Sequence, residues 1–435
     1  MKNLIKSGTS LTMIATAVAF MASPAFASDA DVSACVGKVP TLNILSEPTT
    51  SIQYMNSVSS EFEKKWGTKL SFSNFGENDR RAKSRLDASQ GTGAYQIYAV
   101  DEANVAEFAS NGWILPLQQA MTPEQWKAFD WDDFLAGRRA VATYDGKPYF
   151  APYQGGGDLM MYRKDILAAH HLNPPTTVED YVKDVALLND PSHGVYGTAL
   201  RGKRGSGMNV WRWQPFFIAD GGQWVADGKP DFDSAAGVKA TDTYLELMKY
   251  SPPGGATYAW SEVIEGFRSG QVAMMIESDV FGPWVEDPTK SRVAGKVGYA
   301  PPPEPLPSAG FAHGLAISAK GNPTPCSKLI ASQFLIWATS RENEMGRVQA
   351  GILGDLARTS TIDSQAYRAK VNPDYVTALL ATAPRTRLLI WNNPNWPRFG
   401  DELGLTLESI FTGQQKNVKQ ALQNTASDLE DVVSD

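Results

Sequence analysis

Apolar positions in the first third of the chain alternate between short runs and helical spacing. Residues 41–45 form a run that stops at Ser46-Glu47-Pro48, and Met55, Val58 and Phe62 follow on one helical face. Residues 70–75 alternate as a second strand, 79–90 read as a charged helix, and 95–100 form a third apolar run ending at Asp101-Glu102. A short helix to Ser110 and a turn at Asn111-Gly112 come next. Strand, helix, strand, helix, strand predicts a parallel sheet with right-handed crossovers. Thr122-Pro123-Glu124-Gln125 is a capping box with proline at N1, opening a helix through Trp126, Phe129 and Phe134.

The pattern then changes. Asp145-Gly146 marks a turn, Pro148 and Pro152 hold the chain extended, and Gly155-Gly156-Gly157 precede a buried strand at 159–162. Three consecutive glycines cost conformational entropy, so a domain crossing or a close ligand should use them. A second α/β region follows. Thr177 caps a helix with Val178, Tyr181, Val185 and Leu188 on its face, Ser234 and Ser261 open further helices, and 272–276 is a buried strand. Residues 301–307 are a proline-rich linker, 315–318 a strand, and Pro325-Cys326 leads into a helix with Ile330, Phe334 and Trp337 facing inward. Crossings near 148–157 and 301–310 predict α/β lobes that interleave in sequence and hinge around a cleft.

Composition narrows the setting. Lys2 and Lys6 precede an apolar run at 11–20 and an Ala25-Phe26-Ala27 cleavage signal, which predicts an export leader over 1–27. No cysteine follows the small residues, so a soluble exported protein without a lipid anchor is expected. The net charge of −7 becomes −9 once Lys2 and Lys6 leave with the leader, and no basic stripe argues for nucleic acid or an anionic membrane. Cys35 and Cys326, an even count in an exported chain, are expected to pair.

Candidate chemistry is sparse. No metal or cofactor motif, nucleophile elbow or phosphate loop is present, and no carboxylate pair stands out for glycosidase work. Trp211 and Trp213 share a face only if their segment is extended. There they would offer indoles to the apolar faces of a sugar, with Arg201, Asn209, Arg212 and Gln214 nearby for its hydroxyls; otherwise they fill the core. Asp101 and Glu102, at the carboxyl end of a predicted parallel strand, are either ligand groups or helix caps, and Glu277 and Asp279 have the same two readings. His313 lies among small residues.

Several stretches, in this order and spacing, resemble the family 1 extracellular solute-binding proteins of ABC importers, in the sugar and polyol branch. They include Asn111-Gly112-Trp113, Asp145-Gly146-Lys147 through Lys164-Asp165, Leu200-Arg201-Gly202, Phe267-Arg268-Ser269-Gly270, Lys296-Val297-Gly298-Tyr299 and Gly314-Leu315-Ala316. The resemblance implies a two-lobed periplasmic binding protein fold of type II character. Lobe 1 would take 28–148 and 310–355, and lobe 2 would take 149–309 and 356–435. Both cysteines then fall in lobe 1. Implied ligand contacts are Ser46, Glu47, Asp101, Glu102, Tyr153, Gln154, residues 209–213, Glu277 and Asp279; His313 stands where many relatives carry tryptophan. The implied function is periplasmic capture, by a monomer, of a sugar, sugar alcohol or short oligosaccharide for membrane permease subunits, with no cofactor and no catalysis. The alternatives are an exported carbohydrate hydrolase or lyase, or a binder of a polyamine or other solute.

Overall fold

The computed structural model describes residues 32–434, so the leader expected over 1–27 lies outside the described residues. Its longer strands are β1 (Thr41–Ser46), β2 (Lys69–Asn74), β3 (Ile97–Asp101), β4 (Phe150–Gly156), β5 (Asp158–Arg163), β6 (Met274–Ser278), β7 (Val297–Ala300) and β8 (Phe311–Ile317). Five of them form one sheet in the order β2-β1-β3-β8-β4. β1 runs parallel to β2 and β3, and β8 runs antiparallel to β3 and β4. Leu42, Ile44 and Leu45 are all inaccessible, as expected of a strand covered on both faces.

The elements around this sheet follow their local signals with two differences. The helix expected across Met55 and Phe62 is two helices, Thr50–Ser57 and Ser59–Trp66, broken at Val58. The Thr122 capping box is present, but its helix stops at Phe129 because Asp130 turns left-handed at φ 50°. Phe134 still reaches the core, where the Arg358 guanidinium lies 4.1 Å over its ring.

The second sheet is small and antiparallel, ordered β6-β5-β7. Helices surround it, and its main apolar cluster gathers Trp213, Phe217, Trp224, Trp396 and Phe399. β4 hands over to β5 at Gly157, so the first sheet keeps the chain well past the boundary expected at 148. Ala357 likewise packs in the first lobe's core, just past the boundary expected at 355.

The crossing is tied down by polar groups. Gly157 N donates to Asp279 Oδ2 at 2.9 Å, Asp158 N to Ser308 Oγ at 2.7 Å, and Ala309 N to Asp158 Oδ2 at 2.9 Å. This corrects the ligand-loop reading of the glycine triplet. A Cβ would lie 2.5 Å from Phe311 O at Gly155, 2.0 Å from Asp279 Oδ1 at Gly156, and 2.4 Å from Ser308 Oγ at Gly157. Protein atoms of the returning segments, not a ligand, need that space.

Cys35 and Cys326 form a disulfide with Cα atoms 5.2 Å apart, joining the turn Val32–Cys35 to the helix Pro325–Ala338. Digestion without reductant should release both cysteines in one cross-linked peptide that reductant splits; two free thiols would contradict the bridge.

Candidate functional site

Between the lobes is a cavity of about 570 Å³. The first lobe contributes the loop after β1 (Glu47 to Thr50), the start of the helix Glu77–Gln90, Glu102 after β3, Gln154 on β4, and Phe311 and His313 on β8. The second lobe contributes Arg201, Lys203, Met208 and Trp211, then Trp260, Ser278, Phe281 and Trp284. Carboxyl ends of parallel strands and the adjoining loops are where open α/β sheets place ligands. The lobes meet at the cavity rim. Arg81 Nη1 is 2.9 Å from Glu77 Oε1 and donates to Ser206 Oγ at 3.4 Å, and a Cβ on Gly207 would fall 2.1 Å from Glu77 Oε1.

The first-lobe wall is a charged network. His313 Nδ1 lies 2.5 Å from Glu47 Oε1, which also accepts from the Tyr153 hydroxyl at 3.2 Å. The Gln154 amide is 3.1 Å from the same imidazole nitrogen, and Arg80 Nε is 3.6 Å from Glu47 Oε2. Burial opposes the charge on Glu47, but the charge and hydrogen bond of His313, with Arg80, hold its carboxyl down at about 2. Burial likewise works against the imidazolium, and Glu47, Asp101 and Glu102 overcome it and lift His313 to about 9. Asp101 is clamped by Arg80 and Arg81, the latter donating from Nε at 3.0 Å.

Glu102 stands apart. It is buried, its Oε2 has no hydrogen-bond partner among the described residues, and burial with the Asp101 charge pushes its carboxyl up to about 7. Ser278 Oγ, on the opposite lobe, is also buried without a partner. Glu102 from one lobe and Ser278 from the other both line the cavity, so a solute in it meets polar side chains from both sides.

The second-lobe wall is aromatic. Trp260 and Phe281 stack with centroids 5.6 Å apart, and Trp211 meets Phe311 edge to face at 5.9 Å. Behind it, Arg201 donates from Nε and Nη2 to the two oxygens of Glu277 at 2.6 and 2.5 Å.

Of the residues expected at the site, Glu47, Glu102, Gln154, Arg201, Trp211 and His313 line the cavity. The others sit behind it. Ser46 donates to Asn74 Oδ1 at 2.6 Å between strands, Asp101 and Tyr153 support Arg81 and Glu47, and Asn209 donates to Gly202 and Gly404 carbonyls. Glu277 orients Arg201, and Asp279 holds the crossing at Gly157. Trp213 is corrected to core. Its segment is the helix Asn209–Ala219 rather than an extended strand, and residues two apart on a helix point roughly 200° apart. Its ring stacks on Phe217 at 4.8 Å and its Nε1 donates to Thr241 Oγ1 at 3.0 Å.

Trp260, Phe281, Trp284, Phe311 and Lys203 were not anticipated. The spacing Phe281-Gly282-Pro283-Trp284, one residue after Glu277-Ser278-Asp279, was the available signal. Among the described residues no group of His, Cys, Asp and Glu is placed to hold a metal ion, and no helix is long and apolar enough to cross a membrane.

A model of the family described as bacterial extracellular solute-binding protein matches residues 47–345. The chain belongs to this family. This solute-binding protein is 27% identical over 382 residues to the mannitol-binding protein of Pseudomonas aeruginosa, covering 81% of this chain and 84% of that one. Its fold superposes with a TM-score of 0.81 on an ABC transporter solute-binding protein of Agrobacterium radiobacter K84 in complex with ribitol, at 26% identity over 90% of this chain and 98% of that one. A solute-binding protein of Agrobacterium vitis S4 with bound D-mannitol gives a TM-score of 0.80 with the same identity and coverage. The two-lobed α/β architecture expected from the sequence is the architecture of these proteins.

Proposed function

We propose that this protein is the periplasmic binding component of an ABC importer and that its solute is a small polyol, a pentitol or hexitol. The observation that carries this reading is a cavity with a charged, hydrogen-bonding wall from the first lobe and an aromatic wall from the second. A polyol brings hydroxyls, each both donor and acceptor, on an apolar carbon chain that packs against rings. The relatives that bind mannitol and ribitol support the same solute class. A polyamine fits less well, because Glu47, Glu77 and Asp101 are already paired with His313, Arg81 and Arg80. Closure of the lobes would present the loaded form, as a monomer, to permease subunits in the membrane.

The test is a thermal-shift screen of the protein against ribitol, D-mannitol, erythritol, maltose and putrescine. An alditol at 100 times its dissociation constant should stabilise the native state by about 2.7 kcal/mol and be recovered intact. Trp211→Ala should weaken that alditol about tenfold while the apo protein still melts cooperatively. The absence of a shift with every alditol would overturn the proposal, and turnover of maltose would point to an enzyme instead.

A further inference from the structure

A second cavity of about 570 Å³ lies against the first. It too is walled by both lobes, with Ile352 and Leu353 from one side and Pro283, Glu286, Tyr299 and Tyr375 from the other. Thr50 and Trp284 line both cavities, so they form the wall between them. The first-lobe half of this wall is fixed by Thr50 Oγ1 donating to Asp355 Oδ2 at 2.7 Å. The second-lobe half is the Trp284 ring, packed on Phe281 at 5.2 Å and Trp260 at 6.3 Å. The segment through Gly354 comes so close that a Cβ there would lie 2.1 Å from Val280 O, with Trp284 Nε1 3.5 Å away. Trp284 is therefore held from both lobes.

The outer cavity has the mixed character of a sugar site. Tyr299 and Tyr375 meet edge to face at 5.4 Å. Glu286 is held in place by the Tyr299 hydroxyl at 3.3 Å, Asn372 Nδ2 at 2.8 Å and Gly295 N at 2.7 Å. Thr50 and Trp284 are the lining residues that the two compartments share.

We propose that Trp284 is the partition that ends the ligand cavity and so sets the length of solute accepted, admitting a free alditol and excluding one that carries a further sugar ring. The inference rests on the polyol reading above. Its probes are D-mannitol and maltitol, which is D-glucitol extended by one glucosyl ring, titrated calorimetrically into the full protein with free D-glucitol as the control for the change of hexitol. The wild type should bind mannitol at least about 100-fold more tightly than maltitol. Trp284→Ala should narrow that ratio to about tenfold or less by gaining maltitol affinity, and Trp284→Leu, which keeps apolar packing on Phe281, should narrow it in the same direction.

Ile352→Trp, which fills only the outer cavity, should leave mannitol binding by the wild type within about twofold and abolish the gain in the Trp284→Ala background. Equal binding of the two probes by the wild type, or a more than tenfold loss of mannitol in Ile352→Trp alone, would overturn the partition. So would folded Trp284 variants that bind mannitol but show no gain for maltitol. Failure of every protein to bind any alditol would instead sink the polyol reading, so the two failures are distinguishable.

Discussion

Glu277→Ala is expected to lower the unfolding free energy by about 3–5 kcal/mol and to abolish solute binding. The carboxylate is fully buried, holds Arg201 through two hydrogen bonds, and lies 4.0 Å from Arg212 Nε. Burial alone would neutralise it; Arg201 and Arg212 overcome that and keep its carboxyl below the ordinary range. Without it, two guanidiniums remain with Asp158, which accepts from Arg212 at 2.5 Å, and the charge of Glu77 across the cleft to balance them. Breaking a buried pair costs far more than replacing it with apolar groups. The double variant Glu277→Met with Arg201→Met should therefore regain most of the stability in urea denaturation while binding stays lost, because Arg201 lines the cavity. A loss below about 1 kcal/mol for Glu277→Ala would show that this network does not hold the lobe together.

The second large effect is on pH. His313 is lifted from 6.5 to about 9 in the folded state, against its burial, by Glu47, Asp101 and Glu102. A raised histidine stabilises fully below its unfolded value near 6.5, and that contribution fades as pH climbs through 9. Each tenfold gain in proton affinity is worth about 1.4 kcal/mol, so roughly 3 kcal/mol should disappear between pH 6.5 and 9.5. Glu102 acts in the same sense: lifted to about 7 by burial and Asp101, it favours the folded state less as pH rises from 4.5 through 7. Glu47, lowered to about 2, stabilises above 4.5 and loses that contribution only as pH falls towards 2. The apo protein should thus be most stable near about pH 4.5 and lose stability progressively from there to about pH 9.5. Chemical denaturation across this range is the measurement, and His313→Gln should flatten the alkaline limb; an unchanged slope in that variant would remove His313 as its cause.

The parallel half of the fold was legible because strands such as Ile97–Asp101, buried on both faces, leave unbroken apolar runs before polar strand ends. The capping residues Thr122 and Thr177 announce their helices by local chemistry alone. Asn209–Ala219 was not legible. It is buried nearly all round, so its apolar positions show no period, and Pro215 lies inside it where proline ordinarily ends a helix. The site was half legible for a related reason. Strand ends point to the cleft, but which of two neighbours faces it depends on parity and register, so Glu102 lines the cavity while Asp101 binds Arg80 and Arg81 behind it. The Glu47–His313 pair joins residues 266 apart in sequence, a distance over which no local pattern reports.

The position of β8 has a consequence for the order in which the molecule is made. It lies between β3 and β4, yet the ribosome delivers it only after the whole segment from Gly157 to Gly310, which includes β5, β6 and β7. Until β8 arrives, β3 and β4 have facing edges unpaired. The nascent first lobe is thus a sheet with a missing central strand, and the cysteine that covalently closes it, Cys326, follows β8 by only a few residues. The interval before β8 docks is the one in which the first lobe is open to pairing with other chains.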